Sequence, residues 1–216
     1  MVTAQRYPVP LKETRVELMI VNSRFIASLA PVFNVEEARA FIERIRKEFA
    51  DATHNVPLYR VGFEPSVIEH CSDAGEPAGT AGRPALAVLR GSGLGDVAVV
   101  ITRYFGGTKL GTGGLVRAYS DSVRAVLAET RRAERVTCHT VMTVLPYRLL
   151  ERVRILAADA NGQILDESFG TDVTITARFA VENLPAFQAA LREWSNGEIQ
   201  AEIIETAEVL MPVQGQ

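Results

Sequence analysis

Cysteine is nearly missing from this chain of 216 residues: Cys71 and Cys138 are the two it has. Two cannot form a disulfide framework, and they lack the C-x-x-C spacing of a zinc or redox site, so reduced thiols and no metal or other cofactor are expected. No run of about 18 or more apolar residues occurs, and Met1 to Leu11 lack the apolar stretch of a signal peptide, which points to a cytoplasmic protein with no membrane segment. Excess charge is also lacking. A formal net charge of -3 gives no bulk basicity that would mark a nucleic-acid binder.

What is present is ample apolar material, 47% of residues, and an uneven spread of charge. Residues 1 to 136 carry 18 Lys or Arg against 15 Asp or Glu, whereas residues 137 to 216 carry 5 against 11. The halves therefore differ in sign, +3 against -6, which suggests two domains and places any polyanion site in the first. Arg131 to Arg135 are charged and without periodicity, as in a linker, so domains over residues 1–133 and 134–216 are expected.

Strands are expected at Glu17 to Val21, Arg24 to Leu29, Leu58 to Gly62, Ser66 to Cys71 and Val97 to Arg103. Asn34 with Glu37 has the spacing of a capping box and opens a helix to about Ala50, and a second helix is expected from Thr112 to Ala128. The second half reads as strand (Thr137 to Leu145), helix (Tyr147 to Ala160), strand (Gln163 to Phe169), strand (Asp172 to Ala180), helix with Pro185 in its first turn, and strand (Ile199 to Leu210). Trp194, on a helix face with Leu184, Phe187 and Leu191, reads as core. The βαββαβ order is the ferredoxin-like pattern and makes the chain α+β.

Eleven of the 16 glycines fall between Gly75 and Gly114, where backbone shape must be specified. One segment, His70 to Pro84, sets Asp73, Glu76, Thr80 and Arg83 among small residues. The other, Thr102 to Arg117, joins a strand to a helix and carries three basic residues and no acid. A glycine loop entering a helix offers free N–H groups and the positive end of a helix dipole, which suits phosphate. Arg103, Lys109 and Arg117 are candidates for phosphate contact, Tyr104 or Phe105 for base stacking, and Gly106, Gly107, Gly111, Gly113 and Gly114 for close backbone approach. Neither the P-loop nor the G-x-G-x-x-G spacing is met, so a structural glycine turn stays open beside phosphate or RNA binding. Asp73 and Glu76 are expected to pair with Arg83 and Lys109 rather than act as an acid/base couple. His70 and Cys71 near Asp73 and Glu76, with His54 upstream, could also form a thiol nucleophile or a metal cluster, though a small buried thiol is the simpler reading.

Ser72-Asp73-Ala74-Gly75-Glu76-Pro77 running into Gly79-Thr80-Ala81-Gly82, then Arg103-Tyr104-Phe105-Gly106-Gly107-Thr108-Lys109-Leu110-Gly111-Thr112-Gly113-Gly114-Leu115, resemble the YigZ/Impact family. Ser23-Arg24-Phe25-Ile26, Ala52-Thr53-His54-Asn55 and Tyr59-Arg60-Val61-Gly62 resemble it in the same order, so the resemblance spans about residues 17 to 128. The tail resembles the second domain of bacterial members. Ala74 departs from a frequent second aspartate, which weakens a two-carboxylate mechanism, and Val56 from a frequent cysteine. The resemblance implies a first domain like the second domain of ribosomal protein S5 and domain IV of elongation factor G, and a ferredoxin-like second domain like that factor's domain V.

By that analogy the expected function is non-enzymatic and translation-linked, binding RNA or a ribosomal surface through the basic glycine loop, with His54, Asp73, Glu76, Thr80 and Arg83 in support. Two alternatives stand beside it. One is a hydrolase using Asp73, Glu76 or His54 on a phosphate or peptide substrate, and the other is a module that binds a protein partner.

Overall fold

A computed structural model of the chain describes residues 7–212. The first six residues of the expected leaderless N-terminus, and the last four of the expected second domain, lie outside the described residues. The chain divides into two compact units, one running through Glu134 and one from Arg135 to Leu210. Among the described residues no helix is long and apolar enough to cross a membrane.

In the first unit, β2 (Thr14–Ile20), β3 (Ser23–Pro31), β4 (His54–Val61), β5 (Ile68–Cys71) and β6 (Val97–Tyr104) form one sheet in the order β2-β3-β6-β4-β5. β6 is central and apolar on both faces, because helices cover both. Side chains alternate along a strand. Val97, Val99 and Ile101 therefore meet α2 (Gly82–Gly91) and α3 (Gly111–Glu129), whereas Ala98 and Val100 meet α1 (Val35–Glu48). α1 starts at the expected capping box: the Asn34 side chain accepts from the Glu37 amide at 2.7 Å, and Glu37 reaches back to the Phe33 amide at 2.8 Å.

Two elements differ from the sequence reading. The ten-residue helix α2 was not expected, because its N-terminal amides are capped by Asp73 from eight and nine residues upstream rather than by a local signal. Arg131 to Arg135, expected as a linker, mostly belongs to the 14-residue strand β7 (Arg132–Leu145). Pairing supplies what composition hid: Arg132 to Glu134 lie against β1 (Pro8–Pro10), and Ala133 and Val136 are buried.

The second unit contains β7 from Arg135 on, a 3₁₀ turn at Tyr147–Leu149, α4 (Leu150–Asp159), β8 (Gln163–Phe169), β9 (Val173–Ala180), α5 (Leu184–Trp194) and, through Leu210, β10 (Ala201–Pro212). β9 lies between β8 and β7, and β10 also pairs with β7, completing the expected βαββαβ arrangement. Alternate residues Val173, Ile175, Ala177 and Phe179 face the helices, and Phe179 stacks on Phe187 with ring centroids 4.6 Å apart. Trp194 packs on that core as expected. The fold is α+β in two domains.

Candidate functional site

The site grows from strand register. Phe25 on β3, Arg103 on β6 and His54 on β4 are directly paired, so the three stand in one row on the face that meets α2 and α3. Arg103 is 5% exposed. Its Nη1 donates to Glu76 Oε1 at 2.6 Å and its Nη2 to Ser23 Oγ at 3.3 Å, while the guanidinium lies 5.4 Å from the Phe25 centroid and 5.6 Å from that of Phe105. The Nε is buried without a hydrogen-bond partner among the described residues.

Glu76 Oε1 also accepts from the Tyr119 hydroxyl at 2.7 Å. Burial, reinforced by that hydrogen bond to Glu76, pushes the Tyr119 phenol far above its ordinary range, so it stays protonated and donates. A buried ion pair holds only where further hydrogen bonds satisfy the charges, and Tyr119 and Ser23 supply them. His54 Nδ1 lies 2.9 Å from the Ala74 carbonyl. A carbonyl can only accept, so Nδ1 carries the proton, which leaves Nε2, 3.8 Å from Glu76 Oε1, with the lone pair in the neutral ring.

Beside this row opens a pocket of about 470 Å³, lined by His54, Glu76, Arg103, Phe105, Lys109 and the start of α3. Lys109 and Thr112 are exposed at its edge, and Pro77, Leu110 and Leu115 give it an apolar lining. The first turn of α3 holds no acidic residue, and no side chain caps its amides. Among the described residues no group of three His, Cys, Asp or Glu is gathered as a metal would need.

The expected residues separate on this geometry. His54, Glu76, Arg103, Lys109 and Gly111 converge on the pocket, and Gly113 and Gly114 lie in the first turn of α3. Arg103, expected at a phosphate, is instead held in the buried pair with Glu76. Tyr104, expected as a stacking face, lies on the α1 side of the sheet, where its hydroxyl donates to Asp51 at 2.7 Å and Arg24 covers its ring at 5.5 Å. Arg117 is exposed on α3 and does not line the pocket.

Asp73 and Glu76 do not pair with Arg83 and Lys109 as expected. Asp73 accepts the amides of Gly79 at 2.8 Å, Ala81 at 3.1 Å and Gly82 at 2.8 Å. Burial raises its pKa, but these three bonds with the charge of Arg83 outweigh that and hold the carboxyl below its usual range. Thr80 turns its hydroxyl onto the Pro77 carbonyl at 2.7 Å, and Arg83 is exposed at the start of α2. The two carboxylates thus have separate tasks, one building the loop and one facing the pocket.

Gly106 and Gly107 lie in the loop before α3. A Cβ on Gly106 would stand 1.9 Å from the Asn22 carbonyl oxygen, so only glycine lets this loop cross the β2–β3 turn. Phe105, Tyr119 and Ser23 carry functional positions that the sequence reading did not combine. Strand parity was a usable signal, since Phe105 follows Arg103 by two and Tyr104 faces the opposite way.

The Impact N-terminal domain matches residues 21–127, and the Domain of unknown function (DUF1949) matches residues 143–198. The chain is 37% identical to IMPACT family member YigZ of Escherichia coli, over 91% of this chain and 97% of that one. It is 36% identical to IMPACT family member YvyE of Bacillus subtilis, over 84% and 83%. A solved structure titled "Crystal structure of an hypothetical protein" superposes with a TM-score of 0.61 at 34% identity, covering 94% of this chain and 98% of its own. With nearly the full length of the Escherichia coli protein matched, this chain belongs to the IMPACT family, in the two-domain form that joins an Impact N-terminal domain to a DUF1949 domain.

Proposed function

We propose that this chain is a non-enzymatic, translation-linked protein that holds RNA or a ribosomal surface through a phosphate seated at the N-terminus of α3. Gly113 carries the reading. A Cβ there would meet nothing within 4 Å, and the residue has ordinary helical backbone, so neither packing nor conformation asks for glycine. Glycine within a helix costs about 0.5–1 kcal/mol against alanine. Close approach of another molecule to bare backbone explains why the cost is borne. The amides of α3's first turn, the positive end of its dipole and the adjacent Lys109 supply the attraction.

Salt titration of the purified protein against ribosomes and ribosomal RNA tests this. Affinity is expected to fall as salt rises, and Lys109→Ala to weaken binding to many sequences alike, lowering the log-log slope by roughly 0.7 to 0.9. Absence of salt-sensitive binding, with Lys109→Ala silent, removes the reading.

One observation favours a hydrolytic second reading: His54 and Glu76 both line the pocket, with Nε2 3.8 Å from Oε1. Asp73 takes no part in it, since backbone amides occupy both its oxygens. Turnover of a bound phosphate ester, lost in His54→Ala while binding persists, would replace the binding role with a catalytic one.

A further inference from the structure

A single phosphate at α3 leaves most of the pocket unused. Its volume, about 470 Å³, lies in the range of a site for one small organic molecule. Three walls of different chemistry surround it. The start of α3 with Lys109 attracts an anion. Glu76 is an acceptor that repels phosphate and takes hydroxyl or amino donors; the two donors it already holds both reach Oε1, and an ionised carboxylate offers about four acceptor sites.

The third wall is Phe105, an aromatic ring 45% exposed at the pocket. The Arg103 guanidinium, fixed by Glu76 and Ser23, lies 5.6 Å from its centroid. The Arg103 Nε–H is buried with no acceptor among the described residues, so it adds no competing charge-assisted bond at the ring. A ligand that satisfies all three walls carries an anion, hydrogen-bond donors and a flat face in one small unit.

We infer that the pocket takes one nucleoside monophosphate unit, the terminal phosphorylated nucleotide of an RNA, with its base stacked on Phe105, its phosphate on the α3 amides and Lys109, and a ribose hydroxyl or base amino group donating to Glu76. The inference rests on the phosphate reading of the same site. A terminal phosphate monoester brings close to two negative charges and three acceptor oxygens to the helix end. An internal nucleotide offers only phosphodiesters, each with one negative charge and two free oxygens, and so draws less from the helix end and Lys109.

The test is calorimetric titration of the full chain with a short RNA bearing a 5′-phosphate, the same RNA with a 5′-hydroxyl, adenosine monophosphate and adenosine. The phosphorylated RNA is expected to bind at least about tenfold tighter than its hydroxyl form, with adenosine monophosphate competing and adenosine not. Phe105→Leu should weaken binding by roughly 5- to 150-fold, the range for loss of one stacked base, while Phe105→Trp retains it and Tyr104→Leu stays within about twofold. A melting curve for each variant separates lost binding from lost fold. Adenosine monophosphate binding more tightly than either RNA supports the site and assigns it to a free nucleotide. Equal, salt-sensitive affinity for both RNAs without competition by adenosine monophosphate overturns the terminal-nucleotide site and leaves phosphate binding standing. No salt-sensitive RNA binding and no mononucleotide binding overturns both.

Discussion

Asn34 and Asp73 both cap helices, yet only the first was legible in the sequence. Asn34 meets its amide three residues on, a spacing written into the chain, whereas Asp73 reaches amides six to nine residues away after the loop has closed. Asp73→Ala should cost about 1–2 kcal/mol by denaturant unfolding at pH 7, the upper range for a lost cap. Its folded-state pKa lies below the unfolded value of about 3.9, so the carboxylate stabilises above that value and ceases to as pH falls through the lowered one. The gap in stability between the parent and Asp73→Asn should accordingly narrow below about pH 4. A gap that stays constant down to acid unfolding would deny the role.

Cys71 follows the same logic with the opposite sign. Burial first, and then the Asp73 charge, raise its thiol. Alkylation near neutral pH should be slow, and a measured thiolate pKa below about 8.5 would contradict this environment.

At the scale of elements, periodicity made most of the fold legible. The apolar run of β6, the capped α1 and the alternation of β9 each follow from one local pattern. α2 and the start of β7 did not, because a distant cap and a pairing strand define them. The glycine loop was legible as a special backbone but not in the division of its tasks. Gly106→Ala should destabilise by about 1–3 kcal/mol or more, since its Cβ would stand 2.2 Å from the Asn22 carbonyl carbon and the backbone must move. Gly113→Ala should instead stabilise by about 0.5–1 kcal/mol and weaken RNA binding. Thermal melts and salt titrations on the two variants separate these outcomes. A Gly113→Ala protein that binds unchanged would return that glycine to chance.

For the whole molecule, the change of charge sign near residue 136 anticipated two units, and each has its own apolar core. Phe187 is 1% exposed, stacks on Phe179 and packs within the core of the second unit. Replacing it with alanine should cost about 3–5 kcal/mol, a large part of the roughly 5–15 kcal/mol that holds an ordinary domain together. If the units unfold as separate cooperative bodies, hydrogen exchange in Phe187→Ala should quicken in α4, α5, β8 and β9, while β6 and α3 keep the parent's protection. RNA binding should then survive a weakened second unit, because the residues proposed to hold the nucleotide lie in the first. An equal loss of protection in β6 and α3 would show one cooperative structure, in which damage at Phe187 reaches Arg103 and the pocket as surely as damage at Glu76.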